Sequence, residues 1–201
     1  MLVPLGCGGG GGGISLIAAT TCSQNFVACG GDPTGTWDIV SLCVDGDLNA
    51  AVNDQVAEND PACADLVSNA KLSGSGSVTY GAGTVSYNGR FQVQFAASYT
   101  PACVSALAGG ASLNAAVCGQ IQTNLNKEEG KAGTCSFTGE NCVCQFTMSP
   151  PITRSYSYTV SGATISEVGS DSYSFCVNGN TMTQREQIAG DAYGVTQLKK
   201  R

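Results

Sequence analysis

Val85-Ser86-Tyr87-Asn88-Gly89-Arg90-Phe91-Gln92-Val93-Gln94-Phe95 decides the fold class of this chain. Val85, Tyr87, Gly89, Phe91, Val93 and Phe95 take every second position, with mostly polar residues between them. A period of two puts alternate side chains on opposite faces of a strand, one face buried and the other wet. The pattern recurs along the chain. Trp37, Ile39 and Ser41 alternate with Asp38, Val40 and Leu42, and Val78 shares a face with Tyr80. Tyr156, Tyr158 and Val160 alternate with Ser155, Ser157 and Thr159; Tyr173, Phe175 and Val177 alternate with Ser174 and Cys176.

Turn signals separate these runs. Asn178-Gly179 predicts a type I′ hairpin, which needs positive φ at both central residues, and Gly139-Glu140 predicts a type II′ turn with Gly first. Ser161-Gly162 and Gly81-Ala82-Gly83 join further strands. Consecutive hairpins from Cys135 to Arg185 imply an antiparallel meander. Counting outward from Gly139-Glu140 places Cys142 opposite Phe137 and Cys144 opposite Cys135, in a non-hydrogen-bonded pair with Cα atoms about 4.5 Å apart. That spacing suits a Cys135–Cys144 disulfide. Cys142, on the same face, is left for another strand or a helix. A longer loop would shift the register and send Cys135 across the sheet instead.

Two segments break the period. Asp60-Pro61-Ala62-Cys63 and Thr100-Pro101-Ala102-Cys103 each put a capping residue before a proline at the first helical position. Cys63, Leu66, Val67 and Ala70 then follow helical spacing. Helical insertions are expected near 47–71 and 100–126. Leu48-Asn49-Ala50-Ala51-Val52 recurs as Leu113-Asn114-Ala115-Ala116-Val117, but in opposite order relative to the Pro-Ala-Cys words, so chance reuse is preferred to duplication.

Gly35-Thr36-Trp37-Asp38-Ile39-Val40 opens the first strand. A Gly-x-Trp at that point, followed by a meander, resembles the lipocalin-type β-barrels. Tyr173 to Thr183 is similar to the late hairpin of cysteine-rich bacterial lipocalin-like lipoproteins. The resemblance implies a mainly β fold, an antiparallel meander closed into a lipocalin-like barrel of about 8–10 strands, with the two helical insertions. It implies that Trp37 closes the barrel base against a basic residue, with Arg185 and Arg201 as candidates; an indole and a guanidinium pack well by cation–π contact. The aromatic face Tyr87, Phe91, Phe95, Tyr156 and Tyr158 is the expected cavity lining. A β-sandwich is the alternative fold.

Met1-Leu2-Val3-Pro4-Leu5-Gly6 before Cys7, with Gly8 to Gly13 behind it, resembles the end of a bacterial lipoprotein signal peptide. That resemblance implies lipidation of Cys7, a flexible tether, and attachment to the outer membrane or cell surface through the N-terminal lipid. Pro4 stands where the family usually has Leu, Val or Ile, and the chain has no positive n-region. Residues 1–34 read as a signal-peptide remnant, anchor and linker; residues 35–201 read as the barrel domain. Setting Cys7 aside, ten of the eleven cysteines remain: Cys22, Cys29, Cys43, Cys63, Cys103, Cys118, Cys135, Cys142, Cys144 and Cys176. In an exported protein an even set reads as disulfides. No metal site and no cofactor are expected, because the chain has no histidine and only one close cysteine pair.

Composition narrows the functional classes. Charged residues make up 12% and the net charge is −6, so nucleic-acid binding is not expected. Histidine-dependent triads and dyads are excluded. Asp45 and Asp47 around Gly46, and Glu128-Glu129, read as solvated carboxylates; Asp45-Gly46-Asp47 lacks the later ligands of a calcium loop. Cys142-Val143-Cys144 reads as two bonded cysteines rather than a redox dithiol. The leading expectation is a monomeric, lipid-anchored barrel that holds a small apolar ligand. A disulfide-stabilised surface or structural module with a filled core is the alternative, and an enzyme ranks last, with no catalytic residue assigned.

Overall fold

The computed structural model describes residues 16–23, 25–127, 130–169 and 172–201. The expectations on Cys7, the tract Gly8 to Gly13 and the pair Glu128-Glu129 lie outside the described residues. The chain runs β1 (Ile17–Ala18), β2 (Thr20–Thr21), β3 (Gly35–Asp45), α1 (Leu48–Asn59), a 3-10 turn (Pro61–Cys63), β4 (Val67–Tyr80) and β5 (Thr84–Tyr99). It continues through α2 (Pro101–Leu107), α3 (Ala115–Leu125), β6 (Lys131–Phe137), β7 (Cys142–Met148), β8 (Pro151–Ser161) and β9 (Thr164–Glu167). It ends with β10 (Ser172–Asn178), β11 (Thr181–Ala189) and β12 (Ala192–Lys200).

Eight strands, β3, β4, β5, β8, β9, β10, β11 and β12, pair antiparallel in that order, and β12 returns to β3. The sheet is therefore a closed barrel, with β3 and β4 paired only along Gly35–Asp38 and Ser77–Tyr80. One end is sealed by a buried cluster containing Trp37, Tyr80, Val85, Ile165, Phe175, Met182 and Leu198. Trp37 is fully buried, and its indole N–H donates to the Pro33 carbonyl at 2.6 Å, so the ring keeps its polar atom satisfied inside the core.

The meander expected from Cys135 to Arg185 is interrupted. β7 and β8 do not pair with each other. Both pair with β5, β8 along Thr84–Arg90 and β7 along Val93–Tyr99. A strand of 16 residues is long enough to serve two partners end to end. β6 and β7 thus form a hairpin outside the barrel, and with α3 they make a side lobe around Ala97, Cys118, Cys142, Cys144 and Phe146.

Three local expectations also need correction. The insertion expected near 47–71 forms α1 and the single turn Pro61–Cys63 but stops there: β4 begins at Val67, which pairs with Ala97 and belongs to the sheet. The 178–181 hairpin turns on Gly179-Asn180, because Asn178 pairs with Thr181; Gly179, at φ +59°, holds the first central position, as type II′ requires. In β3, the register with β12 passes from Ile39 to Ser41 and leaves Val40 as a bulge. The bulge changes the phase of the strand, so Leu42 rather than Ser41 joins the inward side of Trp37 and Ile39.

Helix amides finish the strand ends that have no neighbouring strand. β4 bulges between Ser68 and Lys71, where Asn69 takes φ +56°. Asn49 of α1 accepts the Ala70 N–H at 2.8 Å, and Asn53 bonds both the N–H and the carbonyl of Val67 at 2.7 and 2.8 Å. Gln122 of α3 accepts the Cys135 N–H at 2.7 Å, and Asn126, the C-cap of α3, bonds both backbone groups of Gly133 at 2.6 and 3.0 Å. Each helix thus presents amides at i and i+4 to an edge that would otherwise be open.

Five disulfides use all ten cysteines expected to pair. Cys135 is bonded to Cys144 in the register counted from Gly139-Glu140, with Cα atoms 4.0 Å apart. Cys142 goes to Cys118 in α3, and Cys63–Cys103 ties the two insertions together. Cys22–Cys43 and Cys29–Cys176 fasten the segment before Gly35 to the outer face of the barrel. The stretch from residue 16, expected as linker, also adds β1 to β4 and β2 to β3.

Candidate ligand cavity

Inward side chains change character along the barrel axis. The register carries the eye from one level to the next: Met182 faces Leu198, Gln184 faces Thr196, and Glu186 faces Gly194. Apolar residues at the sealed end give way to a polar layer. There Tyr80 and Tyr173 hydroxyls lie 2.7 Å apart, and Tyr87 and Tyr173 hydroxyls 3.1 Å apart. Tyr173 donates to the Glu167 carboxylate at 2.8 Å, and Tyr87 also donates to it. The Gln184 amide donates to the Tyr80 hydroxyl. Glu167 and Gln184 are buried, at 8% and 9% exposure.

Burial pushes the pKa of Tyr80, Tyr87 and Tyr173 well above the ordinary phenol value, chiefly because a phenolate would be stripped of water. These phenols stay protonated and act as hydrogen-bond donors and acceptors.

Beyond this layer the barrel opens into a cavity of about 310 Å³. Leu42, Leu72, Phe91, Ile152, Tyr156 and Ile188 supply its apolar wall, and Glu167, Glu186 and Arg154 its charged groups. An adjoining chamber of about 70 Å³ shares Tyr87, Phe91, Ile152, Glu186 and Thr196 with it and is also lined by Ser75 and Gln184. The backbone shapes this wall. Gly76 pairs with Gly89 across β4 and β5, and a Cβ on either would meet backbone atoms at 2.3 Å, so only glycine lets the two strands cross so closely.

Of the five aromatic residues expected to line a cavity, the structure brings Tyr87, Phe91 and Tyr156 together on the larger one. Tyr87 and Tyr156 meet edge to face at 6.4 Å. Tyr158 instead packs its edge on Tyr80 at 5.3 Å and donates to the Gly81 carbonyl. Phe95 lies on the stretch of β5 that has left the barrel and packs on Phe146 in the side lobe. The arginines expected beneath Trp37 are elsewhere. Arg185 alternates with inward Gln184 and Glu186, so it points outward, to Asp45 at 3.1 Å and over the Tyr193 ring. Arg201 forks onto Asp38, and the Lys200 ammonium stands over the Trp37 ring, 5.1 Å from its centre. Asp47 caps α1.

The sequence reading missed Glu167, Tyr173, Gln184, Ser75, Arg154 and Glu186 as cavity residues. A signal existed for Glu167, an acid on the face of Ile165 in a four-residue strand. Cys135, Cys142 and Cys144 bring three sulfurs together, but all three are in disulfides and offer no thiolate to a metal. Among the described residues, no helix is long and apolar enough to cross a membrane. Comparison with protein families, with characterised proteins and with solved structures finds no match for this chain.

Proposed function

We propose that this domain is a lipid-anchored, lipocalin-like binding protein of the bacterial cell envelope whose barrel holds one small ligand. The observation that carries the reading is the cavity of about 310 Å³ inside a closed barrel whose other end is packed solid. That volume sits at the lower end of the roughly 300–1,000 Å³ of small-molecule sites, so the ligand is small. An apolar wall with a few convergent polar groups is the composition such sites share. The anchor is supported by the small residue before Cys7 and the glycine tract behind it. Extracytoplasmic residence is supported by five disulfides.

Titration with the neutral apolar fluorophore N-phenyl-1-naphthylamine tests the binding role. One saturable site is expected in the native chain, lost in a folded Ile152→Trp variant that fills the cavity. A folded native chain without such a site favours the filled-core module instead. Intact mass of protein from its own host tests the anchor: an unmodified Cys7 thiol counts against it.

A further inference from the structure

Resting on the ligand-binding role proposed above, we propose that the cavity selects an uncharged ligand with a hydroxyl head and a small apolar body. The head sits in the inner chamber with Ser75 and Gln184, and the body fills the outer cavity. Three observations converge on this chemistry. First, Ser75 lines the inner chamber at 6% exposure, and its Oγ is buried with no hydrogen-bond partner. A stranded hydroxyl is costly, and a group that donates or accepts can satisfy it. Gln184 lines the same chamber and spends its amide hydrogens on the Tyr80 hydroxyl and the Met182 sulfur. Its carbonyl oxygen is what remains for a ligand, and it takes a donor. One alcohol oxygen meets both demands, accepting from Ser75 and donating to Gln184. Second, no charge in the lining lacks a partner or water. The Glu167 carboxylate lines the outer cavity but not the inner chamber, and it already accepts from Tyr87 and Tyr173. Arg154 lines that same outer cavity and is exposed, so both signs are present there. Glu186 borders both spaces, but it is exposed and already engaged. A charged head in the inner chamber would therefore lose its water without gaining a free counter-ion, which costs far more than burying a hydroxyl. Third, the chamber of about 70 Å³ is larger than a single water needs, so a hydroxymethyl group has room in it. The two spaces share Phe91, Ile152 and Thr196, so one molecule can span them, with its body against Leu42, Leu72 and Tyr156.

Isothermal titration of the full chain at pH 7 with 2-phenylethanol, 2-phenylethylamine and 3-phenylpropionate tests this. The alcohol is expected to bind at least about tenfold tighter than either charged compound. Ser75→Ala should weaken the alcohol about two- to tenfold, the worth of one hydrogen bond. It should leave n-propylbenzene, of similar size but without a hydroxyl, bound as in the native chain. The native-chain comparison decides whether or not the variant folds. An amine or carboxylate that binds as tightly as the alcohol overturns the neutral head and leaves the cavity reading standing. An alcohol that binds the folded Ser75→Ala variant and the native chain alike does the same, and so does uptake of N-phenyl-1-naphthylamine with no binding of the alcohol. If neither the fluorophore nor any of these compounds binds, both readings fall.

Discussion

The sealed half of the barrel is filled by Trp37, Tyr80, Phe175, Ile165, Met182 and Leu198, each under 2% exposed, with no cystine among them. The side lobe is filled by Phe146, Ala97 and three half-cystines, Cys118, Cys142 and Cys144. The difference follows from geometry. A closed sheet points large side chains from many strands at one axis, so hydrophobic burial alone excludes water. A lone hairpin with one short helix has too little enclosed volume for that, since an isolated hairpin is marginal at best. Its sulfur bridges join α3 to β7 and β6 to β7, and they fill the space between these elements.

The largest expected effect falls on the barrel side of this contrast. Trp37→Ala should cost about 3–5 kcal/mol, as large aromatic truncations do. Denaturant titration checks it, and a loss below about 1 kcal/mol would mean that the sealed end does not depend on its largest side chain.

A replacement of Cys118 and Cys142 together by alanine should cost about 3 kcal/mol, the loop-closure value for a separation of 24 residues. The loss should stay local. Hydrogen exchange should show α3 and β6 opening while β10 to β12 keep their protection. If the barrel strands open in step, lobe and barrel are one cooperative unit and the contrast fails.

Asn53→Ala and Asn126→Ala remove amides that each satisfy two backbone groups of one residue. Each should cost about 1–3 kcal/mol, the penalty for stranding buried partners. Equal losses would show that the two insertions are fastened in the same way. A neutral Asn126→Ala would show that the cystines alone hold the lobe.

The smallest effect at neutral pH, and the one that separates the halves by solvent, is alkaline destabilisation. Burial raises the pKa of Tyr80, Tyr87 and Tyr173 in the barrel, and of Tyr99 beside the lobe, above the phenol value of 10.0. A raised folded value means the stabilisation is complete below about pH 10 and lost as pH rises beyond it. Thermal melts should be level on this account from pH 7 to about 9 and fall above 10, with the near-ultraviolet signal of the barrel lost first. Melts that stay level above about pH 10 would place these phenols in water, where folded and unfolded chains titrate alike.

How much of this was legible in the sequence follows from distance along the chain. The alternation from Val85 to Phe95 is a local property, and it reports the strand faithfully. The Cys135–Cys144 pair lies only nine residues apart, across a turn that glycine specifies, so counting suffices. Cys29–Cys176, at a separation of 147, has no local signature. Phe95 has the same period as Phe91, yet the two face different cores, because β5 changes partner from β8 to β7 between them. Only the third dimension records that exchange. The polar layer escaped for a related reason: Glu167, Tyr173 and Gln184 come from three separate strands, and each alone looks like an ordinary alternating residue.

The Cys22–Cys43 bond also sets how the molecule bears a load. Tension applied through the residues before Cys22 passes by the covalent bridge into β3 at Cys43, after peeling the short β1 and β2 contacts. If the far end is held at Arg201, the opposing force enters β12 beside Trp37, since Lys200 pairs with Trp37 while Cys43 pairs with Val195. The two points lie about 20 Å apart along antiparallel neighbours, at roughly 3.3 Å per residue. The force therefore runs lengthwise along the seam, and the rungs between Trp37 and Cys43 resist it together rather than one by one. The staple makes the closing seam of the barrel a shear joint instead of a zip fastener.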